Sequence, residues 1–74
     1  MVPLNQLKPG QAARVVALRS GDPARLDRLS AYGLVPGSQV SLEQARPTFI
    51  FRIGETEIAI DAEVAGEIWV QAGA

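Results

Sequence analysis

Turn signals break this chain at intervals of twelve residues or fewer: Pro9-Gly10, Asp22-Pro23, Gly33, Pro36-Gly37, Arg46-Pro47, Gly54-Glu55 and Gly66. No segment between them holds more than a short strand or about three turns of helix. No apolar run approaches the roughly 20 residues that cross a bilayer as a helix. The chain must therefore fold by joining many short elements, and the residues between the turns say which.

Pro9-Gly10 suits the centre of a type II turn, because proline presets φ and glycine accepts the positive φ that follows. Leu4 and Leu7 before it are placed to anchor the N-terminus. Residues 12–18 (Ala-Ala-Arg-Val-Val-Ala-Leu) read as a strand whose faces are both fairly apolar apart from Arg14. Asp22 then precedes Pro23, an N-cap followed by a proline at the first helical position, where its missing N–H costs nothing. The spacing predicts a helix over 23–32 with Leu26 and Leu29 on its inner side, and Gly33 ending it in the left-handed conformation. Pro36-Gly37 makes a second turn of the same kind as the first.

Beyond it the period changes to two. Val40 and Leu42 share one strand face; Phe49, Phe51 and Ile53 share another; Ile58 and Ile60 continue on a return strand after Gly54-Glu55, a two-residue hairpin turn with glycine first. Asp61 is placed to cap a single helical turn over 62–65 that Gly66 ends, and residues 67–71 make the last strand, with Trp69 out of phase with Ile68 and Val70. Trp69 is expected in the core or half in it. The result is an all-β chain of about five strands, with one short helix between the first and second. So few residues leave open edges in a flat sheet, so the expected solution is a small, strongly bent barrel of the SH3-like kind.

Composition narrows function further. The 74 residues make one domain, with 47% apolar content but only 5% aromatic, so the core rests on Val, Ile, Leu and Ala. Neither histidine nor cysteine occurs, which removes the commonest general base, the commonest metal ligands and any disulfide. A net charge of −1 lacks the basic footprint of a nucleic-acid binder. No P-loop glycine pattern is present and no serine is flanked by a base, so no catalytic residues, cofactor or metal are expected. Glu63 and Glu67 lie four apart near Asp61, where a hard cation is one reading and a solvated acidic rim the other. The N-terminus has neither the basic start nor the apolar core of a signal peptide, so the expected location is the cytoplasm, without membrane insertion. Charge is unevenly spread: residues 1–52 carry all seven bases and three acids, a net of +4, and residues 53–74 carry five acids and no base, a net of −5. Either the halves interleave and neutralise each other, or they steer a partner or a second copy.

Leu7-Lys8-Pro9-Gly10 before a strand, then a short helix running into Leu29-Ser30-Ala31-Tyr32-Gly33-Leu34-Val35-Pro36-Gly37, resembles the FeoA family. The family pattern is a leucine, three variable residues, Gly-Leu, one residue, then Pro-Gly, and this block is its more specific part. The resemblance covers essentially residues 1–74 as a single domain, with the Gly54 hairpin and the acidic 61–67 segment fitting more loosely. It implies a small cytoplasmic SH3-like domain of bacterial ferrous-iron uptake that binds and modulates the FeoB-type membrane permease, whose cytoplasmic part is a GTP-binding domain. The same domain also forms the C-terminal module of iron-dependent repressors of the diphtheria-toxin-repressor type. Departures from the family are Asp27 between Arg25 and Arg28, and Ala31-Tyr32 where a Glu-Leu type of pair is more usual. They bear on the partner surface and leave the fold expectation intact.

Arg25, Arg28 and Tyr32 share a helix surface by their spacing, and Leu34 and Val35 adjoin it. Arg and Tyr are enriched at interface hot spots, so these five residues are the expected partner contacts. The competing reading is a solvated face with Arg25 or Arg28 paired to Asp22 or Asp27. Pro9, Gly10, Gly33, Pro36 and Gly37 are read as structural, since a fold can require a motif that touches no ligand. Two further functions stay open: a regulatory module of a metal-dependent repressor, which is expected to follow a DNA-binding region that a chain beginning at Met1 and ending near Ala74 lacks, and a self-assembling adaptor driven by the charge split.

Overall fold

The computed structural model describes residues 1–72, and the predicted turns organise it. The Gln11 N–H donates to the Lys8 carbonyl at 2.9 Å, closing a turn around Pro9-Gly10 with Gly10 at φ 90°. The Ser38 N–H donates to the Val35 carbonyl at 3.0 Å, closing the second around Pro36-Gly37. Between the turns run β1 (Val2–Pro3), a 3-10 turn (Leu4–Gln6), β2 (Ala12–Leu18), α1 (Pro23–Ala31), β3 (Gln39–Gln44), β4 (Phe49–Ile53), β5 (Thr56–Ile60), α2 (Ala62–Ala65) and β6 (Ile68–Ala72).

The strands form one antiparallel sheet in the order β1-β6-β2-β3-β4-β5. Six strands stand where about five were expected, because Val2 and Pro3 pair with Val70 and Trp69. A two-residue edge strand shows no alternation, so no pattern announces it, and proline is tolerated there because an edge N–H needs no partner. The long helix therefore lies between β2 and β3. It ends at Ala31, one residue short of the expected bound, with Tyr32 as its C-cap. β6 begins at Ile68 rather than at 67.

Two bulges bend the sheet. In β2 the register passes from Val15↔Val70 to Ala17↔Trp69, leaving Val16 as the extra residue. In β3 it passes from Leu42↔Phe51 to Gln44↔Ile50, leaving Glu43 as the extra residue. A bulge bends its strand and adds twist, which a short sheet needs to curl around its own core. It also explains why β2 looks apolar on both faces: Val15 is buried, and bulged Val16 is turned out at 41% exposure. The curled inner face buries Val15, Val40, Leu42, Phe51, Ile58, Ile60, Ile68 and Val70. Leu4 and Leu7 are buried in this core and anchor the N-terminus to it, as expected, and Leu29 of α1 joins the same cluster. Phe49 stacks on Phe51 with ring centroids 6.0 Å apart, so the two phenylalanines form one slab.

Candidate functional site

The helix α1 starts where its cap predicts. The Asp22 carboxylate accepts from the Ala24 N–H at 3.0 Å and the Arg25 N–H at 3.4 Å, satisfying two of the free donors of the first turn. It ends in a Schellman motif. The Gly33 N–H donates to the Ser30 carbonyl and the Leu34 N–H to the Leu29 carbonyl, both at 3.0 Å. Gly33 sits at φ 94°, and a Cβ there would lie 3.3 Å from the Ile53 Cγ2, so both conformation and space ask for glycine. The Ser38 hydroxyl donates to the Gly33 carbonyl at 2.7 Å and fixes the next turn.

This cap corrects one expected contact. Leu34, placed at the surface by its position in a loop, is fully buried at 0% exposure. The Schellman motif brings the residue after its glycine back over the last helical turn, where Leu34 packs with Leu29 in the core. The signal was present in the spacing Leu29-x-x-x-Gly33-Leu34, which is the hydrophobic pair that accompanies this cap. Val35, next along, is 38% exposed and lies outside the groove described below.

Arg25, Arg28 and Tyr32 do come together. They line one wall of an open groove of about 240 Å³, with Leu29 at its base. The opposite wall is Ala59, Ile60 and Asp61, running off the end of β5, with Val64 of α2. These four were missed by sequence reasoning, because they lie about thirty residues away and no local pattern ties them to α1. Arg25 pairs with Glu67 at 2.7 Å, rather than with Asp22 or Asp27. The hydrogen bond to Glu67 raises the guanidinium pKa above its ordinary value. Among the described residues the buried Arg25 Nε has no hydrogen-bond partner. Among the described residues Arg28 is in no ion pair, and it is exposed. Tyr32 is 48% exposed. The Asp61 carboxylate is taken up by the Val64 N–H at 2.8 Å, capping α2.

Two other polar features lie elsewhere. Arg52 on β4 joins Glu43, the bulge residue of β3, to Glu57 of β5, the latter at 2.8 Å. A hydrogen bond to Glu43 pushes the Glu57 carboxyl up from its ordinary range. The same bond, and after it the Arg52 guanidinium, holds Glu43 down. The Arg19 guanidinium lies 5.2 Å from the centroid of the Trp69 ring, which is half-buried. As for the acidic segment, Glu67 is committed to Arg25 and Asp61 to α2, and no group of three metal-ligating side chains assembles among the described residues.

Comparison with known proteins matches this geometry to a family. A family model described as the FeoA domain fits residues 2–72. Among solved structures, an iron uptake regulatory protein, FeoA, is 28% identical, with 96% of this chain and 95% of that chain covered and a TM-score of 0.87. The T. acidophilum IdeR is 25% identical, with a TM-score of 0.89 over 97% of this chain and 34% of its own. The FeoA of Stenotrophomonas maltophilia, solved with zinc and described as a procaryotic SH3 domain protein, is 21% identical with a TM-score of 0.86 over 96% of this chain and 91% of that one, which shows the fold. No curated protein matches the chain by sequence.

Proposed function

The chain belongs to the FeoA domain family, whose context is ferrous-iron transport, and on that premise we propose that it is a cytoplasmic accessory protein that binds the FeoB-type ferrous-iron permease through the groove between α1 and β5. One observation carries the reading. Arg28, a cation in no ion pair among the described residues, and Tyr32, an exposed aromatic, stand on the rim of a groove with an apolar base. Such residues make interface hot spots when a partner excludes water from them. Regulation follows from differential affinity: a protein that binds one nucleotide state of the permease better than another shifts the balance between them, and only by that difference. No reaction is assigned to the chain, whose groove lacks a nucleophile with an adjacent base.

The test is a calorimetric titration into the permease's GTP-binding domain, and into the intact permease in detergent, each with a GTP analogue and with GDP. The expected result is saturable binding that differs between nucleotides and weakens about tenfold in Arg28→Ala. Arg28 is the cleaner probe, because Arg25→Ala also breaks the pair with Glu67. Absence of heat with either form up to high micromolar overturns direct binding. It would turn attention to the regulatory role of the same fold within a longer chain such as the T. acidophilum IdeR.

A further inference from the structure

The groove's second wall is the edge of the sheet, and that edge is unused. Among the described residues β5 pairs only with β4. The two-residue loop Gly54-Glu55 makes its flanking pair, Ile53 and Thr56, hydrogen-bonded to each other, so the pairs alternate from there. Ile58 and Ile60 exchange bonds with β4. Glu57 and Ala59 therefore turn their N–H and C=O groups outward, and no turn or loop hydrogen bond takes them up. Ala59 also lines the groove, so free backbone, an apolar base and an unpaired guanidinium meet at one place.

We propose that this place binds an extended peptide segment of a partner protein, which adds a strand to β5 and sets a carboxylate against Arg28 with an apolar side chain over Leu29 and Ile60. The inference rests on reading this face as a partner surface and names the chemistry of what it takes. Strand addition draws its affinity from main-chain hydrogen bonds and its specificity from alternate side chains. The charge comes from what is already spent. Asp61 caps α2 and Glu57 is held by Arg52, whereas Arg28 has no ion-pair partner among the described residues. Arg28 is thus the charged lining residue whose side chain no hydrogen bond or ion pair among the described residues engages, and its charge is positive. A second copy is a poor occupant: antiparallel pairing of two β5 edges about Ala59 sets Glu57 against Asp61, like charges directly opposed.

The test uses the whole chain and a fluorescein-labelled, acetylated peptide alternating valine with aspartate, followed by fluorescence anisotropy and by amide chemical shifts. Three control peptides carry N-methyl groups at alternate positions, lysine in place of aspartate, or proline throughout. Saturable binding is expected, with the largest shifts at Ala59, Ile60 and Arg28. It is lost with the N-methylated peptide, weakened about tenfold by Arg28→Ala and by the lysine peptide, and lost in Ala59→Pro. An outward edge N–H tolerates proline, so Ala59→Pro is expected to fold, which circular dichroism checks; the N-methylated peptide makes the same point without any mutation. Equal binding of aspartate and lysine peptides removes the role of Arg28. Stronger binding of the proline peptide, or no binding to millimolar concentration, overturns strand addition. Because the permease is absent from this experiment, its failure leaves the titration above standing, and failure of that titration leaves this one standing.

Discussion

Leu34 shows how much one side chain's environment depends on the backbone bond before it. The residue follows a glycine in a loop, yet the cap turns it inward until nothing of it meets water. Leu34→Ala is therefore expected to cost about 2–5 kcal/mol of stability, as truncation of a buried leucine does, with a lower midpoint in urea and no selective loss of partner affinity beyond the unfolded fraction. Residue-level electrostatics gives a second expectation at Glu43 and Glu57. The fold raises Glu57 above its unfolded pKa, so it favours the protonated form, and that contribution grows as pH falls through the folded value. The fold lowers Glu43, so its contribution is present above the unfolded pKa and disappears as pH falls through the depressed one. Stability should accordingly pass through a shallow rise on mild acidification before it falls. Glu57→Gln should flatten that rise, which urea unfolding at about pH 7 and about pH 5 will read, since these straddle the upper side of the ordinary glutamate range.

At the scale of elements, caps and turns decide where structure begins and bulges decide how it curves. α1 depends on its first turn: Asp22→Ala removes the acceptor for two N–H groups and is expected to cost about 1 kcal/mol, measured as a shift in thermal midpoint. The strand 12–18, the strand that carries Val40 and Leu42, the hairpin at Gly54-Glu55 and the single turn capped by Asp61 were all legible, because each is announced by residues within a few positions of it. The two-residue β1 was not, and neither were the bulges at Val16 and Glu43. An extra residue in a strand is visible only against the partner it fails to face. The same holds for the candidate site. Arg25, Arg28 and Tyr32 could be grouped by helical spacing, but Ala59, Ile60, Asp61 and Val64 become their neighbours only when the sheet curls.

For the whole molecule, folding joins the two ends of the charge split in part. β6, from the acidic end, inserts between β1 and β2 from the basic end. Arg25 pairs with Glu67 and Arg52 with Glu57, so bases of the first part neutralise acids of the last. These two pairs spend part of the charge that head-to-tail assembly would use, and the open β5 edge carries acids that repel a second edge of its own kind. Sedimentation velocity is expected to show a monomer at both low and high salt. A dimer that dissociates as salt rises would restore the adaptor reading, because screening weakens only exposed charge pairs of that sort.

What the sequence by itself determined is whatever physical chemistry acts over a few residues: proline and glycine at turns, a carboxylate at a helix start, a period of two where one face is buried. Those rules placed the elements, and with the Gly-Leu-x-Pro-Gly block they placed the family that the match over residues 2–72 shows. Tertiary structure alone decided which outward faces meet. It made Leu34 core instead of surface, gave Arg25 to Glu67 instead of a near neighbour, left Arg28 unpaired among the described residues, and set the groove against an open strand edge. The reason is that ion pairs and grooves are set by distances across space, and residues far apart in the chain acquire such distances only after the sheet has curled around its core.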